Sequence, residues 1–118
     1  MLKDKIRELA ENLHEDIIAV RRHLHSHPEL SFQEEETNAF IAGKLEEFGI
    51  EFETGWARTG IVGLIKGKSP EIRTVALRAD IDALPIQEAN EVPYKSQNDG
   101  VMHACGHDVH TSSLLGTL

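Results

Sequence analysis

The residues best suited to chemistry lie in one short loop near the end of the 118-residue sequence. Three histidines, the only cysteine and an aspartate fall between His103 and His110. Cys105 and His107 are separated only by Gly106, so a sharp turn at this glycine can aim both side chains at one point. A thiolate and a neutral imidazole are good ligands for divalent ions. The loop therefore predicts a metal site for Zn, Co, Ni or, less ideally, Mn.

The ligand spacing separates a catalytic site from a structural one. It matches none of the common structural zinc patterns, which use paired cysteines or a cysteine pair followed by a histidine pair. A site with few ligands from one loop needs partners elsewhere and favours an open coordination position, as in catalytic metal sites. Two alternatives stand beside this interpretation. In the first, Cys105 is a small buried hydrophobe, which is what a lone cysteine most often is. In the second, Cys105 is a nucleophile activated by a histidine, which requires a specific backbone bend.

Two carboxylates follow a predicted strand over residues 73–79. Asp80 and Asp82 project to the same side if the chain stays extended, and ligands of α/β sheets bind outside the carboxyl ends of strands. The two side chains could coordinate a cation, orient a ligand histidine or cap the loop. Spacing alone favours capping, whereas the spacing together with the His/Cys loop favours a role at a metal site.

The helices that must position these residues are predicted by periodicity and capping. Apolar residues at steps of three and four predict a long amphipathic helix from Leu2 to about Leu24. A capping box of Ser31 and Glu34 predicts the start of a second helix, which ends before Gly49 in the left-handed conformation.

The remaining elements complete the predicted fold class. Apolar patterning predicts strands at 50–54, 61–65 and 73–79, and a last helix from 109 to 118. Helices followed by strands of these lengths predict an α/β fold with helices packed on a mixed β-sheet. Three histidines alternate in the connector after the first helix, where no acidic or thiol partner has ligand spacing. A solvated or hydrogen-bonded role is therefore expected for His23, His25 and His27.

Composition excludes several classes of protein. A net charge of −8 argues against nucleic-acid binding, which needs a basic surface. One cysteine cannot form an internal disulfide, the N-terminus lacks the apolar region of a signal peptide, and no apolar run approaches the span of a bilayer. These features predict one soluble, cytoplasmic domain with neither nucleic-acid nor membrane partners.

Three stretches together resemble a known family. The segment Met102–Thr111 resembles the metal-binding motif of the N-acyl-amino-acid amidohydrolases. This is the branch of the co-catalytic zinc aminoacylase and carboxypeptidase family that includes the hippurate hydrolases and the auxin-conjugate hydrolases. Arg78–Pro85 is similar to the Arg-Ala-Asp-x-Asp-Ala-Leu-Pro motif of that branch, and Arg21–Leu30 to its Arg-Arg-x-Leu-His-x-His-Pro-Glu-Leu stretch. The resemblance covers essentially the whole chain.

The resemblance implies roles for the loop and for the two carboxylates. Cys105 and His107 would be metal ligands, and Asp82 the supporting carboxylate. Other branches carry a ligand histidine where this chain has Asp80. Three residues are assigned to the surroundings of the ligands: Asp80, Asp108 and His110. A complete site would hold two divalent ions and cleave the amide bond of a small N-acyl amino acid.

The resemblance also sets an expectation about length. Family members are considerably longer, with a general-base glutamate, further ligands and a dimerisation domain following this point. Residues 1–118 are therefore expected to form the N-terminal portion of a zinc-exopeptidase-like catalytic domain that is inactive alone. A homo-oligomer is compatible with the family, although the sequence leaves the oligomeric state open. The alternative from another class is a non-catalytic metal-binding or structural fragment.

Overall fold

The computed structural model describes all residues of the chain and contains three helices and two strands. In chain order the elements are α1 (Leu2–Ser26), α2 (Glu35–Glu47), β1 (Glu51–Trp56), β2 (Gly60–Leu64) and α3 (His107–Thr117). The predicted α/β class is confirmed. The sheet formed by these residues is two-stranded and antiparallel, so no mixed pairing occurs within it.

The core lies where the three helices meet. Its buried apolar residues come from α1, α2 and α3 in turn: Val20, Leu24, Ile41, Leu45 and Leu115. Helix α1 packs against α3, and α2 packs against both strands. Only the C-terminal half of the apolar face of α1 is buried. Its N-terminal half is exposed at Leu2, Ile6, Leu9 and Leu13.

The N-terminus of α2 is capped by a residue that lies outside the helix. The carboxylate of Glu29 accepts hydrogen bonds from the backbone N–H groups of Glu36 at 3.2 Å and Thr37 at 2.6 Å. The predicted capping box of Ser31 and Glu34 is wrong, since the N-cap residue makes no side-chain cap bond. The helix begins at Glu35, and its first-turn donors at Glu36 and Thr37 are satisfied by the carboxylate of Glu29 instead.

The C-terminus of α2 ends as the sequence predicts. Gly49 has a φ of +70°, in the left-handed region that a glycine adopts without a Cβ clash. Its N–H donates to the carbonyl of Glu46 at 3.0 Å, and the N–H of Ile50 donates to the carbonyl of Leu45 at 2.9 Å. This pair of bonds is a Schellman motif, and it directs the chain from α2 into β1.

The strand predicted over 73–79 is wrong for this structure. Residues 71–78 are exposed and belong to no strand, and β1 and β2 pair only with each other. A β-strand is defined by its backbone hydrogen bonds to a neighbouring strand. The apolar pattern of this segment is typical of a β-strand, but no partner strand lies beside it.

None of the three helices combines the length and the apolar character that crossing a membrane requires.

Candidate metal centre

The segment that carries the two aspartates is fixed between two other parts of the chain. The N–H of Ala83 donates to the carbonyl of Glu29 at 2.7 Å. On the other side, Leu84 and Met102 exchange both backbone hydrogen bonds, at 2.9 and 3.0 Å. This short pairing brings residues 80–82 beside the loop that leads into α3.

Asp80, His107 and His110 form the group of side chains best arranged to hold an ion. Oδ1 of Asp80 lies 2.7 Å from Nδ1 of His110, and its Oδ2 lies 3.3 Å from Nε2 of His107. One ligand atom from each residue lies within 4.8 Å of the other two. Both histidines lie in the first turn of α3. Because residues three apart lie on one face of a helix, their side chains can reach the same site.

Asp82 fixes the ring of His107 from behind. Nδ1 of His107 lies 2.9 Å from the Oδ1 atom of Asp82 and 2.9 Å from its backbone carbonyl oxygen. Both oxygens are acceptors, so Nδ1 carries a hydrogen, and Nε2 is the ring nitrogen that faces Asp80. The hydroxyl of Ser31 donates to the other carboxylate oxygen of Asp82 at 2.6 Å.

The two aspartates are held in the ionised form by their hydrogen bonds. The hydrogen bond from Ser31 is the main cause that lowers the pKa of Asp82, with partial burial opposing it and His107 adding to it. The hydrogen bond from His110 is the main cause that lowers the pKa of Asp80. Ionised carboxylates are the form that binds cations.

The donor set fits a zinc-like ion. Two imidazole nitrogens and a carboxylate are ligands that zinc accepts in tetrahedral sites, at about 2.0–2.2 Å from the ion. Asp80 is 2.7 Å from one imidazole nitrogen and 3.3 Å from the other. The three ligand atoms lie within 4.8 Å of one another, which is close enough for one ion to contact them all.

Gly106 allows the loop to pass close to the site. A Cβ atom at this position would lie 2.9 Å from Nε2 of His110. Its φ of −113° is accessible to any residue, so the requirement here is space rather than an unusual backbone conformation. The absence of a side chain at Gly106 thus lets the ring of His110 pack against the backbone.

Two other residues that the sequence assigns to the site lie differently from this group. Cys105 is exposed in the loop before α3, and it lies outside the group of three converging ligand atoms. Asp108 is only 1% exposed, and its carboxylate faces α1. There it accepts hydrogen bonds from Arg21 and contacts His25, each at 2.9 Å.

The structure also contains a buried polar network that the sequence did not reveal. His25 lies between the carboxylates of Asp108 and Glu88, and all three residues are buried. His103 is buried beside His25, with no hydrogen-bond partner for either ring nitrogen. Burial lowers the pKa of His103, which favours the neutral ring. The only sequence signal for this network was the alternation of histidines in the connector.

The other connector histidines have structural surroundings. The ring of His23 stacks on Phe40, with centroids 3.9 Å apart, and on His27, at 4.4 Å. Neither His23 nor His27 belongs to a group of converging ligand atoms.

Comparisons with known proteins show which proteins the chain is similar to. The family model described as peptidase family M20/M25/M40 matches residues 76–118, which include both aspartates and the histidine loop. The N-acyl-L-amino acid amidohydrolase of Geobacillus stearothermophilus is 51% identical over 117 residues, which are 99% of this chain and 31% of that protein. Thermostable carboxypeptidase 2 of Saccharolobus solfataricus is 47% identical over 116 residues, 98% of this chain and 29% of that protein.

A solved structure extends the match to three dimensions. The YXEP protein of Bacillus subtilis, described as a dinuclear metal binding peptidase from the M20 family, has a TM-score of 0.82 and 50% sequence identity to this chain. The match covers 91% of this chain and 30% of that structure. The chain thus spans about 30% of the length of the relatives it matches. The chain therefore matches the model of peptidase family M20/M25/M40 over the candidate site, and along nearly its whole length it is similar, at about half identity, to the first third of these relatives.

Proposed function

We propose that this chain supplies the N-terminal part of the catalytic domain of a metal-dependent hydrolase that cleaves the amide bond of N-acyl amino acids. One observation carries the proposal: Asp80, His107 and His110 converge, and Asp82 orients His107. The relatives named as an amidohydrolase and a carboxypeptidase support hydrolysis of an amide bond. The relative described as a dinuclear metal binding peptidase supports a site for two metal ions, and the thiol and imidazole donors of the loop suit Zn, Co, Ni or, less ideally, Mn.

The proposed ligands from this chain are His107, which belongs to the converging group, and Cys105, whose exposed thiol lies two residues before it and outside that group. Asp82 holds the hydrogen of His107 on Nδ1 and leaves Nε2 as the ligand atom. Asp80 and His110 lie beside His107, where the carboxylate of Asp80 would balance the positive charge of a bound ion. Asp108 is predicted from the sequence to lie around the ligands. We propose that it supports them indirectly, through its contacts with Arg21 and His25 of α1.

The chemistry of such a site follows from its charge. A bound divalent ion would polarise the amide carbonyl and make water a better nucleophile. The residues of this chain would then hold the site rigid, with the ionised Asp80 and Asp82 balancing its positive charge. The substrate would be a small molecule, and the acidic net charge of −8 gives no surface for nucleic acid.

The test uses the protein that carries these residues, expressed at its natural length. Chelation should abolish hydrolysis of hippurate and of N-acetyl amino acids, and added Zn, Co or Mn should restore it. His107→Ala should remove the restored activity, whereas His14→Ala, on the exposed part of α1, should not. Full activity after complete metal removal would contradict the proposal.

We further propose that residues 1–118 by themselves do not turn over substrate. They bring together one small group of ligand atoms, and three apolar side chains that follow the sheet are exposed, at Ile72, Val75 and Leu77. An assay of the purified 118-residue chain with Zn, Co and Mn tests this directly. Metal-dependent turnover by a monodisperse preparation would contradict it. Metal binding without turnover by the natural-length protein would favour the non-catalytic alternative.

A further inference from the structure

A buried chain of charged side chains connects α1 to the first turn of α3. His25, in the last turn of α1, is 3% exposed. Its Nδ1 lies 2.9 Å from Oδ2 of Asp108, and its Nε2 lies 3.0 Å from Oε2 of Glu88. Asp108 and Glu88 are 1% and 2% exposed. All three ionisable groups are thus withdrawn from water, and both carboxylates contact the ring of His25.

The partners of these groups balance their charges. Ionised carboxylates only accept hydrogen bonds, so both ring nitrogens of His25 must donate for the two contacts to be made. Arg21 donates a further hydrogen bond to Asp108 at 2.9 Å. Arg21 and the ring of His25 therefore face two carboxylates, and such partners make buried charge tolerable.

Glu88 is fixed in its ionised form by its own donors. Burial alone would raise the pKa of Glu88, but hydrogen bonds from His25, from the N–H of Ser96 and from Asn90 outweigh it and lower the pKa to about 2. Tyr94, from the same loop, packs edge-on against His25 at 5.6 Å between ring centroids. The loop over residues 88–96 therefore holds His25 from the side opposite to α3.

Asp108 transmits this arrangement to the candidate metal centre. It follows His107 directly, and its Oδ1 accepts the N–H of Val109 at 3.0 Å. Successive residues of a helix point about 100° apart, so Asp108 contacts α1 while His107 faces the aspartates. At the other end of α3, a Cβ atom on Gly116 would lie 3.0 Å from Cγ1 of Ile17, so the two helices also approach closely there.

Stability alone is a weak explanation for such a network. Well-packed apolar residues are often as stable as a buried ion pair, because desolvation of the charges offsets their attraction. Directional hydrogen bonds, unlike apolar contacts, fix the rotation and depth of the turn that carries them. The turn fixed in this case carries His107 and His110.

We propose that His25, acting through Asp108, is a positioning residue of the metal centre, and that Glu88 holds His25 in place for this task. The proposal rests on the proposed function above, since it concerns the geometry of the same ligands. Loss of His25 is expected to weaken metal binding by about 10-fold, the lower end of losses for groups that orient ligands.

The experiment titrates Co²⁺ into the metal-free, natural-length protein and follows affinity and the visible d–d absorption. His25→Gln keeps at most one of the two hydrogen bonds that the ring makes with Asp108 and Glu88. Glu88→Gln keeps an oxygen acceptor for the N–H of Ser96 but removes the charge that faces His25. His14→Gln, an exposed residue of the same helix, is the control. All measurements are made well below the unfolding midpoint of each variant.

The expected result is about 10-fold weaker Co²⁺ binding and an altered d–d spectrum for His25→Gln and Glu88→Gln, with His14→Gln like the wild type. A purely structural role would lower the unfolding midpoint and leave the spectrum of the folded variants unchanged, which would overturn the proposal. If His25→Gln does not fold, Glu88→Gln decides by the same criteria. A wild type that binds no Co²⁺ would overturn the proposed function as well, so the two failures are distinguishable.

Discussion

His107 is held by Asp82 through two contacts at once. Its Nδ1 lies 2.9 Å from the carboxylate Oδ1 and 2.9 Å from the backbone carbonyl oxygen of the same residue. The side chain and the backbone of one aspartate therefore fix both the tautomer and the orientation of the ring. The sequence interpretation of Asp82 as a supporting carboxylate remains a prediction, and this contact is the physical basis on which it can be tested.

Replacing Asp82 should weaken metal retention without unfolding the protein. Asp82→Ala removes the carboxylate, one of the two acceptors of Nδ1 of His107, and leaves the backbone carbonyl. Losses of this kind are typically on the order of 10–100-fold in metal affinity. Metal content after dialysis and the Zn²⁺ dissociation constant measure the effect. Asp99→Ala, in an exposed turn, is the matched control. Wild-type affinity in Asp82→Ala would leave that residue with only a turn-forming role.

A methyl group at Gly106 should disturb the site through His110. The added Cβ would meet Nε2 of His110 at 2.9 Å, so the ring must move away. We expect Gly106→Ala to bind Zn²⁺ several-fold more weakly. Gly43→Ala, in α2 with no atom within 4 Å of the added Cβ, should keep wild-type affinity. It should also gain about 0.5–1 kcal/mol of stability from reduced backbone freedom. Equal affinities in the two variants would show that His110 needs no such clearance.

Glu88 should make the folded state sensitive to acid. Its pKa is lowered from 4.5 to about 2, so its contribution to the free energy of unfolding is fully present above pH 4.5 and is lost as the pH falls toward 2. Glu88→Gln should therefore be less stable than the wild type at neutral pH, and the difference should shrink across that window. Urea unfolding of the metal-free protein at several pH values measures it.

The control for this pH dependence is Glu91→Gln, in the same loop, whose side chain is exposed and pairs only with Lys95. Its stability difference from the wild type should stay near zero at every pH. A constant difference between wild type and Glu88→Gln from neutral to acidic pH would contradict the assigned ionisation of Glu88.

Cys105 should react as a metal ligand rather than as a catalytic nucleophile. It is the only cysteine and is exposed, so alkylation reports on this residue alone. Saturating Zn²⁺ should slow its alkylation by about 10-fold or more, because the thiolate that reacts is also the form that binds metal. His107→Ala should lose this protection. Activity that survives complete metal removal and disappears on alkylation would reverse the assignment.

Local features of the fold could be predicted from the sequence because each depends on neighbouring residues. The apolar periodicity of α1 and the left-handed Gly49 after α2 are of this kind. The cap of α2 could not be predicted in the same way. Glu29 reaches the helix start from the preceding loop, while Ser31, expected to cap it, donates to Asp82 instead. The residues nearest in sequence, Ser31 and Glu34, were therefore predicted as the cap, whereas Glu29 forms it.

The sequence predicts Cys105 and His107 as ligands with Asp82 in support, and these roles remain predictions. The structure brings Asp80 and His110 together with His107, whereas Cys105 lies outside this group. The orientation of Asp108 could not be read from its neighbours, because its contact with His25 joins residues far apart in the chain. Helical geometry turns it away from His107, and only the packing of α3 on α1 shows where it points.

The most direct measurement is anomalous X-ray diffraction from crystals of the natural-length protein grown with Zn²⁺. The proposed centre predicts an anomalous peak at about 2.0–2.3 Å from Nε2 of His107 and from Sγ of Cys105. Asp82 should remain hydrogen-bonded to Nδ1 of the same histidine. Zinc-loaded crystals with no peak at His107, or with Zn²⁺ only at surface sites elsewhere, would contradict a metal centre at this loop.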